Sequence, residues 1–170
     1  MNIRAMVEWL QKNRNNKGTM ADLRRALRTE TKTRAWPYLS HFCDLTKPRE
    51  ELVGRMVCGL YALHPNNAIQ GNFGASLRTL AVRRKDPDLK VHERYLTNLV
   101  SARDGIDVCE RLHFLVRMMH SEGVPIDYEK LAQDLYYWDH TTDPDRVRRE
   151  WCMGYYQRRE KDVPDQSNAA

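Results

Sequence analysis

Residues 51–63 read ELVGRMVCGLYAL, and a single charge inside this run frames the fold. Leu52, Val53, Met56, Val57 and Leu60 recur at the 3.6-residue period of an α-helix, behind a start signal at Thr46 and Pro48. Arg55 interrupts the apolar surface, and a charge so placed must find a partner or an exit. The next stretch, HPNNAIQGNFG (64–74), is rich in Asn and Gly and reads as a loop.

Helical periodicity dominates in both directions from this segment. Upstream, Ile3, Met6, Val7 and Leu10 form one stripe, with Trp9 adjacent. In GTMADLRRALRT (18–29), Met20, Leu23, Ala26 and Leu27 form a second, behind a capping box of Thr19 and Asp22. Trp36-Pro37 enters a short helix or turn over 36–43. Downstream, Leu77, Leu80 and Ala81 mark a helix, and Val91, Tyr95 and Leu99 line the next. Val108, Leu112, Leu115, Val116 and Met119 line another, ended by Gly123-Val-Pro125. Asp127 caps a helix with Tyr128, Leu131, Leu135 and Trp138 inward, and Asp143-Pro144 starts the last, with Val147, Trp151 and Tyr155 inward. No alternating strand or internal repeat is visible. The expected fold is all-α, two small packed bundles of about eight to nine helices with no sheet. RRKDPDLK (83–90) divides a basic N-terminal helical domain (1–84) from a C-terminal bundle (85–160), and 161–170 reads as a disordered tail.

Hydrophobic residues make up 41% of the 170 and charged residues 30%, the balance of a soluble globular chain. No run approaches the ~20 apolar residues of a membrane span, and the N-terminus lacks the apolar centre of a signal peptide. A cytoplasmic protein with no membrane partner is expected. Cys43, Cys58, Cys109 and Cys152 form no CxxC and read as buried free thiols. No companions of metal-site type accompany His41, His113 or His120, so no metal and no cofactor are expected. Nor is there a phosphate-binding glycine loop, a G-x-S-x-G elbow or an H-E-x-x-H. Asp127, Asp134 and Asp139 sit where caps and solvated faces would put them. No enzyme signature is present.

What remains is basic. Residues 1–80 carry 13 Lys and Arg against 6 Asp and Glu, whereas 81–170 carry 15 against 17. Arginine outnumbers lysine 20 to 8, and its planar fork suits phosphate. Arg24, Arg25 and Arg28 share one flank of their helix beside the core stripe. Arg55, Arg78, Arg83, Arg84, Arg148 and Arg149 are further candidates. Such groups contact phosphate without reading bases, so little sequence specificity is expected. Three of the four tryptophans, Trp9, Trp36, Trp138 and Trp151, sit on or beside apolar stripes, and core packing is favoured over base-stacking platforms.

The order of segments resembles the CasB-type small subunits of the type I-E CRISPR Cascade surveillance complex. The likeness rests on Gly18-x-x-Ala21-x-Leu23-Arg24-Arg25-Ala26, WPYL (36–39), RMVCGLYAL (55–63) and GNFGASLRTLA (71–81). It continues through LHFLVRMM (112–119), PIDYEKLAQDLYYWD (125–139) and RVRREWCMGYY (146–156), and spans about residues 3–156. The HPNNAIQGNFG loop and the acidic C-terminal half depart from the family pattern.

The resemblance implies a non-catalytic subunit working as a dimer of two copies of itself, packed against other Cascade subunits that hold CRISPR RNA. It implies a basic surface that helps hold unwound target DNA, including the displaced strand of the R-loop. Arg24 and Arg25 match the family's LRRA motif, and Arg55, Arg78 and Arg103 match further positions. Arg28, Arg83, Arg84, Arg148 and Arg149 are nominated from charge alone. The alternative is a purely structural scaffold whose basic face docks acidic protein surfaces.

Overall fold

The helix that carries Arg55 is buried almost all round. It runs Pro48–Leu63, with Pro48 at its first turn, and its buried residues include Gly54, Cys58, Gly59, Tyr61 and Ala62 besides Val53, Met56, Val57 and Leu60 of the predicted stripe, whereas Leu52 is half-buried. A helix apolar on every side belongs at the centre of a fold. The computed structural model, which describes residues 1–86, 89–139 and 142–157, places it there. Among those residues are nine α-helices and no strand: α1 (Ile3–Asn13), α2 (Lys17–Arg25), α3 (Trp36–Leu39), the central α4 (Pro48–Leu63), α5 (Phe73–Arg83), α6 (Lys90–Val100), α7 (Gly105–Ser121), α8 (Tyr128–Tyr136) and α9 (Arg146–Tyr156). A 3-10 stretch, Thr29–Ala35, links α2 to α3.

Helices α1, α2, α3, α7 and α8 pack around α4, while α9 lies along α5. One hydrophobic core runs through them, from Met6 and Leu10 through Val57 and Leu112 to Trp138 and Trp151. The residue 84/85 boundary falls just past α5, and helices from both sides of it contribute to that core. Pro87 and Asp88 of the 83–90 segment, and the whole 161–170 tail, lie outside the described residues.

The α5–α9 contact depends on a missing side chain. A Cβ built on Gly74 would sit 1.9 Å from the carbonyl oxygen of Trp151, so the two helices touch backbone to backbone. Asn72 caps α5 by accepting from the Ala75 amide at 3.0 Å and donates to the Glu150 carbonyl at 2.7 Å, which fixes the crossing. The loop at 64–72 is also held. Ala68 N–H donates to Ile126 O at 2.8 Å, Ile126 N–H to Asn66 O at 3.0 Å, and Tyr128 Oη to His64 O at 2.7 Å. Burial pushes the His64 imidazole below its ordinary pKa, leaving a neutral ring 2.6 Å from the Val124 carbonyl.

Four local expectations are corrected. Helix α2 starts before Thr19: Asn16 is its cap, accepting from the Thr19 amide at 3.1 Å, and Asp22 turns instead to Arg34 and Tyr38. Helix α9 starts after Asp143-Pro144, at Arg146, because Asp143 is drawn into an ion pair with Arg149. Helix α6 is rotated from the predicted stripe. It buries His92, Leu96 and Leu99 and turns Val91 outward with Tyr95 half-buried, because His92 pairs with Asp86 at 2.7 Å and enters the core as a polar unit. Asp134 occupies no solvated face. It is buried between α8 and α9, accepting from Trp151 Nε1 at 2.7 Å and Lys130 Nζ at 2.6 Å. Burial pushes its carboxyl up while those two donors pull it back.

Replacing Gly74 with Ala is expected to destabilise the fold by about 3 kcal/mol, because backbone rather than a flexible side chain must move. The midpoint of urea denaturation measures this, and an unchanged midpoint would show that α5 and α9 separate freely.

Candidate nucleic-acid interface

Every α-helix ends in carbonyls without intrahelical donors, and a cation placed there also meets the negative end of the helix dipole. In this fold, arginines from neighbouring elements fill that role repeatedly. Arg55 is the deepest, its side chain 8% exposed. Its Nη1 donates to Ala26 O at 2.8 Å and to Leu27 O at 3.4 Å, closing the end of α2. Its Nε lies 3.3 Å from Glu51 Oε1, an ion-pair contact without hydrogen-bond alignment. Arg24 reciprocates, donating from Nη1 to Ala62 O in the last turn of α4 at 3.1 Å. The two helices meet at Gly59, where a Cβ would lie 3.0 Å from Leu23 O and nearer still to Leu27.

The pattern recurs around the molecule. Arg78 donates to Tyr155 O at 3.0 Å at the end of α9, and Arg83 to Glu122 O behind α7. Arg148 donates to Val100 O at 3.1 Å and Ala102 O at 2.9 Å behind α6, with its guanidinium 4.7 Å over the Trp138 ring. Arg49 reaches Tyr136 O at 2.9 Å behind α8, and Arg111 reaches Asn98 O in α6. Part of the arginine excess is therefore architectural. Arg55 and Arg148 are turned to the interior, while Arg24, Arg78 and Arg83 each commit one donor to a helix end.

The other nominated arginines lie at the surface. Arg84 pairs with Glu122 at 3.1 Å and Arg149 with Asp143 at 2.5 Å. Arg103 is 87% exposed and lies 3.7 Å from Asp107, whose carboxyl is held below its usual range by the Arg103 amide and by Arg111. Arg25 is 61% exposed and 3.8 Å from Asp22, and Arg28 is exposed with no carboxylate partner among the described residues.

Arg24, Arg25 and Arg28 are brought together by an open concavity of about 610 Å³. Its lining is Ala21, Arg24, Arg25, Arg28, Thr31 and Arg34, four guanidinium groups and no carboxylate. Arg34 was absent from the sequence candidates, since no helical period links it to α2. The 3-10 turn folds it back, and Asp22 holds it at 3.1 Å while accepting from Tyr38 Oη at 3.3 Å. Thr31 Oγ1 donates to Arg25 O at 2.6 Å and secures the turn. A concave surface lined by exposed guanidiniums suits an extended anion such as a phosphate backbone.

Other chemistry finds no such setting. Among the described residues, no group of three or more His, Cys, Asp or Glu is placed to hold a metal. Cys43, Cys58 and Cys109 are buried, Cys152 is half-buried, and none is disulfide-bonded. Burial pushes the Cys43 thiol up to about 11 and that of Cys109 to about 12, away from reactivity. Trp138 and Trp151 are core, Trp9 is half-buried against Tyr38 and Phe42, and Trp36 is exposed and donates to Glu51. No helix of the described residues is long and apolar enough to cross a membrane.

The fold and its concavity define an all-helical scaffold with an arginine-lined surface. The family model for the CRISPR-associated protein Cse2 matches residues 19–156, and the chain belongs to that family, which supplies a CasB-type subunit of Cascade. Three solved structures share the fold. CasB from Thermobifida fusca aligns at 19% identity and a TM-score of 0.68, over 91% of this chain and 96% of its own. The Cse2-family CRISPR-associated protein of Thermus thermophilus aligns at 23% and 0.70, over 92% and 99%. CasB of M. ruber aligns at 20% and 0.68, over 92% and 93%. No curated protein sequence matches the chain.

Replacing Arg55 with Ala strips the α2 terminus and leaves Glu51 without its cation, at an expected cost of about 3 kcal/mol. Arg28→Ala is expected to change stability by less than about 0.5 kcal/mol. Chemical denaturation of both variants checks the contrast, and equal effects would refute the separation of roles.

Proposed function

We propose that this protein is a non-catalytic, cytoplasmic Cascade subunit that grips phosphate backbones through the α2 concavity. Working as a dimer beside other Cascade subunits and CRISPR RNA, it steadies target DNA opened by the guide, including the displaced strand of the R-loop. The observation that supports the reading is the convergence of Arg24, Arg25, Arg28 and Arg34 on one concavity without a carboxylate in its lining.

The physical logic is one of small differences. Exchanging a DNA duplex for an RNA–DNA heteroduplex is nearly balanced in free energy, so modest backbone contacts tip it. Guanidiniums meet phosphates through charge-assisted, often bidentate hydrogen bonds and release condensed counterions on contact. Such contacts carry no base information, which fits a subunit whose complex leaves sequence reading to a guide. Asp22 contacts Arg25 and Arg34 from outside the lining and leaves the cluster with a net positive charge.

The test uses Arg25, Arg28 and Arg34, none of which closes a helix. The triple alanine variant is expected to bind a single-stranded oligonucleotide more weakly than wild type, with the slope of log K against log salt shallower by about 2. Gel shift or fluorescence anisotropy across a salt series measures it, with the unfolding midpoint as control. Wild-type binding at every salt concentration would overturn the assignment and leave the basic face to acidic protein surfaces.

A further inference from the structure

The rotation of α6 has a consequence on the far side of the chain from the α2 motif in sequence. With His92, Leu96 and Leu99 turned inward, Val91 is left 50% exposed and Tyr95 half-buried. Phe114 on α7 is 57% exposed, and its ring centroid lies 5.9 Å from that of Tyr95 at 69°, an edge-to-face pair at the surface. Between them opens a cleft of about 400 Å³ lined by Arg94, Tyr95, Asn98, Arg111, Phe114 and Leu115.

The charges around the cleft differ in kind. Arg111 is engaged by Asp107, Ser101 and the end of α6. Arg94 and Arg117 are exposed and meet no carboxylate among the described residues, the first in the cleft lining and the second one turn beyond Phe114 on α7. An aromatic face in water beside two uncommitted guanidiniums is the arrangement that holds single-stranded nucleic acid: a base stacks on the ring and the flanking phosphates meet the cations. An apolar protein partner would be served by Phe114 and Val91, but it would have to desolvate Arg94 without return.

We infer that the α6–α7 cleft is a stacking subsite for one base of a single strand, with Phe114 as the platform and Arg94 and Arg117 on the adjacent phosphates. The inference rests on the proposed function for the class of ligand, and it extends contact into the C-terminal half, whose net charge is negative. The cleft adds a non-electrostatic grip, so its contribution persists at salt concentrations that weaken the α2 concavity.

The experiment is fluorescence anisotropy of the purified chain with a labelled oligothymidine, at several salt concentrations, for Phe114→Ala, Phe114→Trp and Arg94→Ala/Arg117→Ala. Phe114→Ala is expected to weaken binding about 5- to 150-fold with the salt slope unchanged, and Phe114→Trp to restore it. The double arginine variant is expected to flatten the slope by about 1.4. The Arg25/Arg28/Arg34 triple variant, measured in parallel, separates this inference from the proposed function. A weak triple variant beside a wild-type Phe114→Ala overturns the cleft alone, and the reverse overturns the α2 assignment alone. Should Phe114→Ala bind the strand normally yet fail to join the other Cascade subunits, the cleft is a protein-docking face and the inference is wrong. Absence of oligonucleotide binding by the wild-type chain overturns both.

Discussion

The buried guanidinium of Arg55 is the constraint on which the rest of this molecule depends. Taking such a charge out of water costs several kcal/mol unless its surroundings return the loss. Here the return comes from the carbonyl end of α2, which carries partial negative charge, and from Glu51 one turn back on the same helix. The arrangement works only if α2 crosses α4 closely, which Gly59 permits, and it sets where α2 ends. That end carries Arg24, Arg25 and Arg28. The packing of one arginine inside the fold thus decides the placement of the arginines outside it.

Two populations of arginine emerge from the same composition. One set closes helices: Arg49, Arg55, Arg78, Arg83, Arg111 and Arg148 donate to carbonyls at the ends of neighbours. A planar fork with five donors does this better than the ammonium of lysine, which accounts for part of the preference for arginine. The other set, Arg25, Arg28 and Arg34, faces an open concavity and is the one proposed to grip phosphate. Arg24 belongs to both. The chain belongs to the Cse2 family and shares its fold with three CasB and Cse2 structures.

Much of the fold was legible in the sequence, and the failures have specific causes. The stripes of α1, α4, α7, α8 and α9 were readable because burying a helix face leaves a hydrophobic period, and those faces are apolar. On α6 the apolar period points to the wrong face, since a histidine paired with Asp86 is buried beside Leu96 and Leu99. The cap of α2 falls at Asn16 rather than Thr19, although both fit the rule, and Asp22, the acid of the expected capping box, is drawn instead to Arg34 and Tyr38. Of the site, Arg24, Arg25 and Arg28 share a helix flank and could be seen together. Arg34 joins them through a 3-10 turn with no sequence period, and the interior position of Arg55 and Arg148 depends on contacts about 30 and 50 residues distant.

The central claim is that fold and grip are carried by different arginines. It is tested most directly by an alanine scan of these residues that reads two quantities for each variant: the denaturation midpoint, and the slope of log K against log salt for a single-stranded oligonucleotide. Variants at Arg55, Arg83 and Arg148 are predicted to lower the midpoint and keep the slope, and variants at Arg25, Arg28 and Arg34 to do the reverse. If both quantities fell together in the same variants, or if the slope ignored Arg25, Arg28 and Arg34, the account would be contradicted.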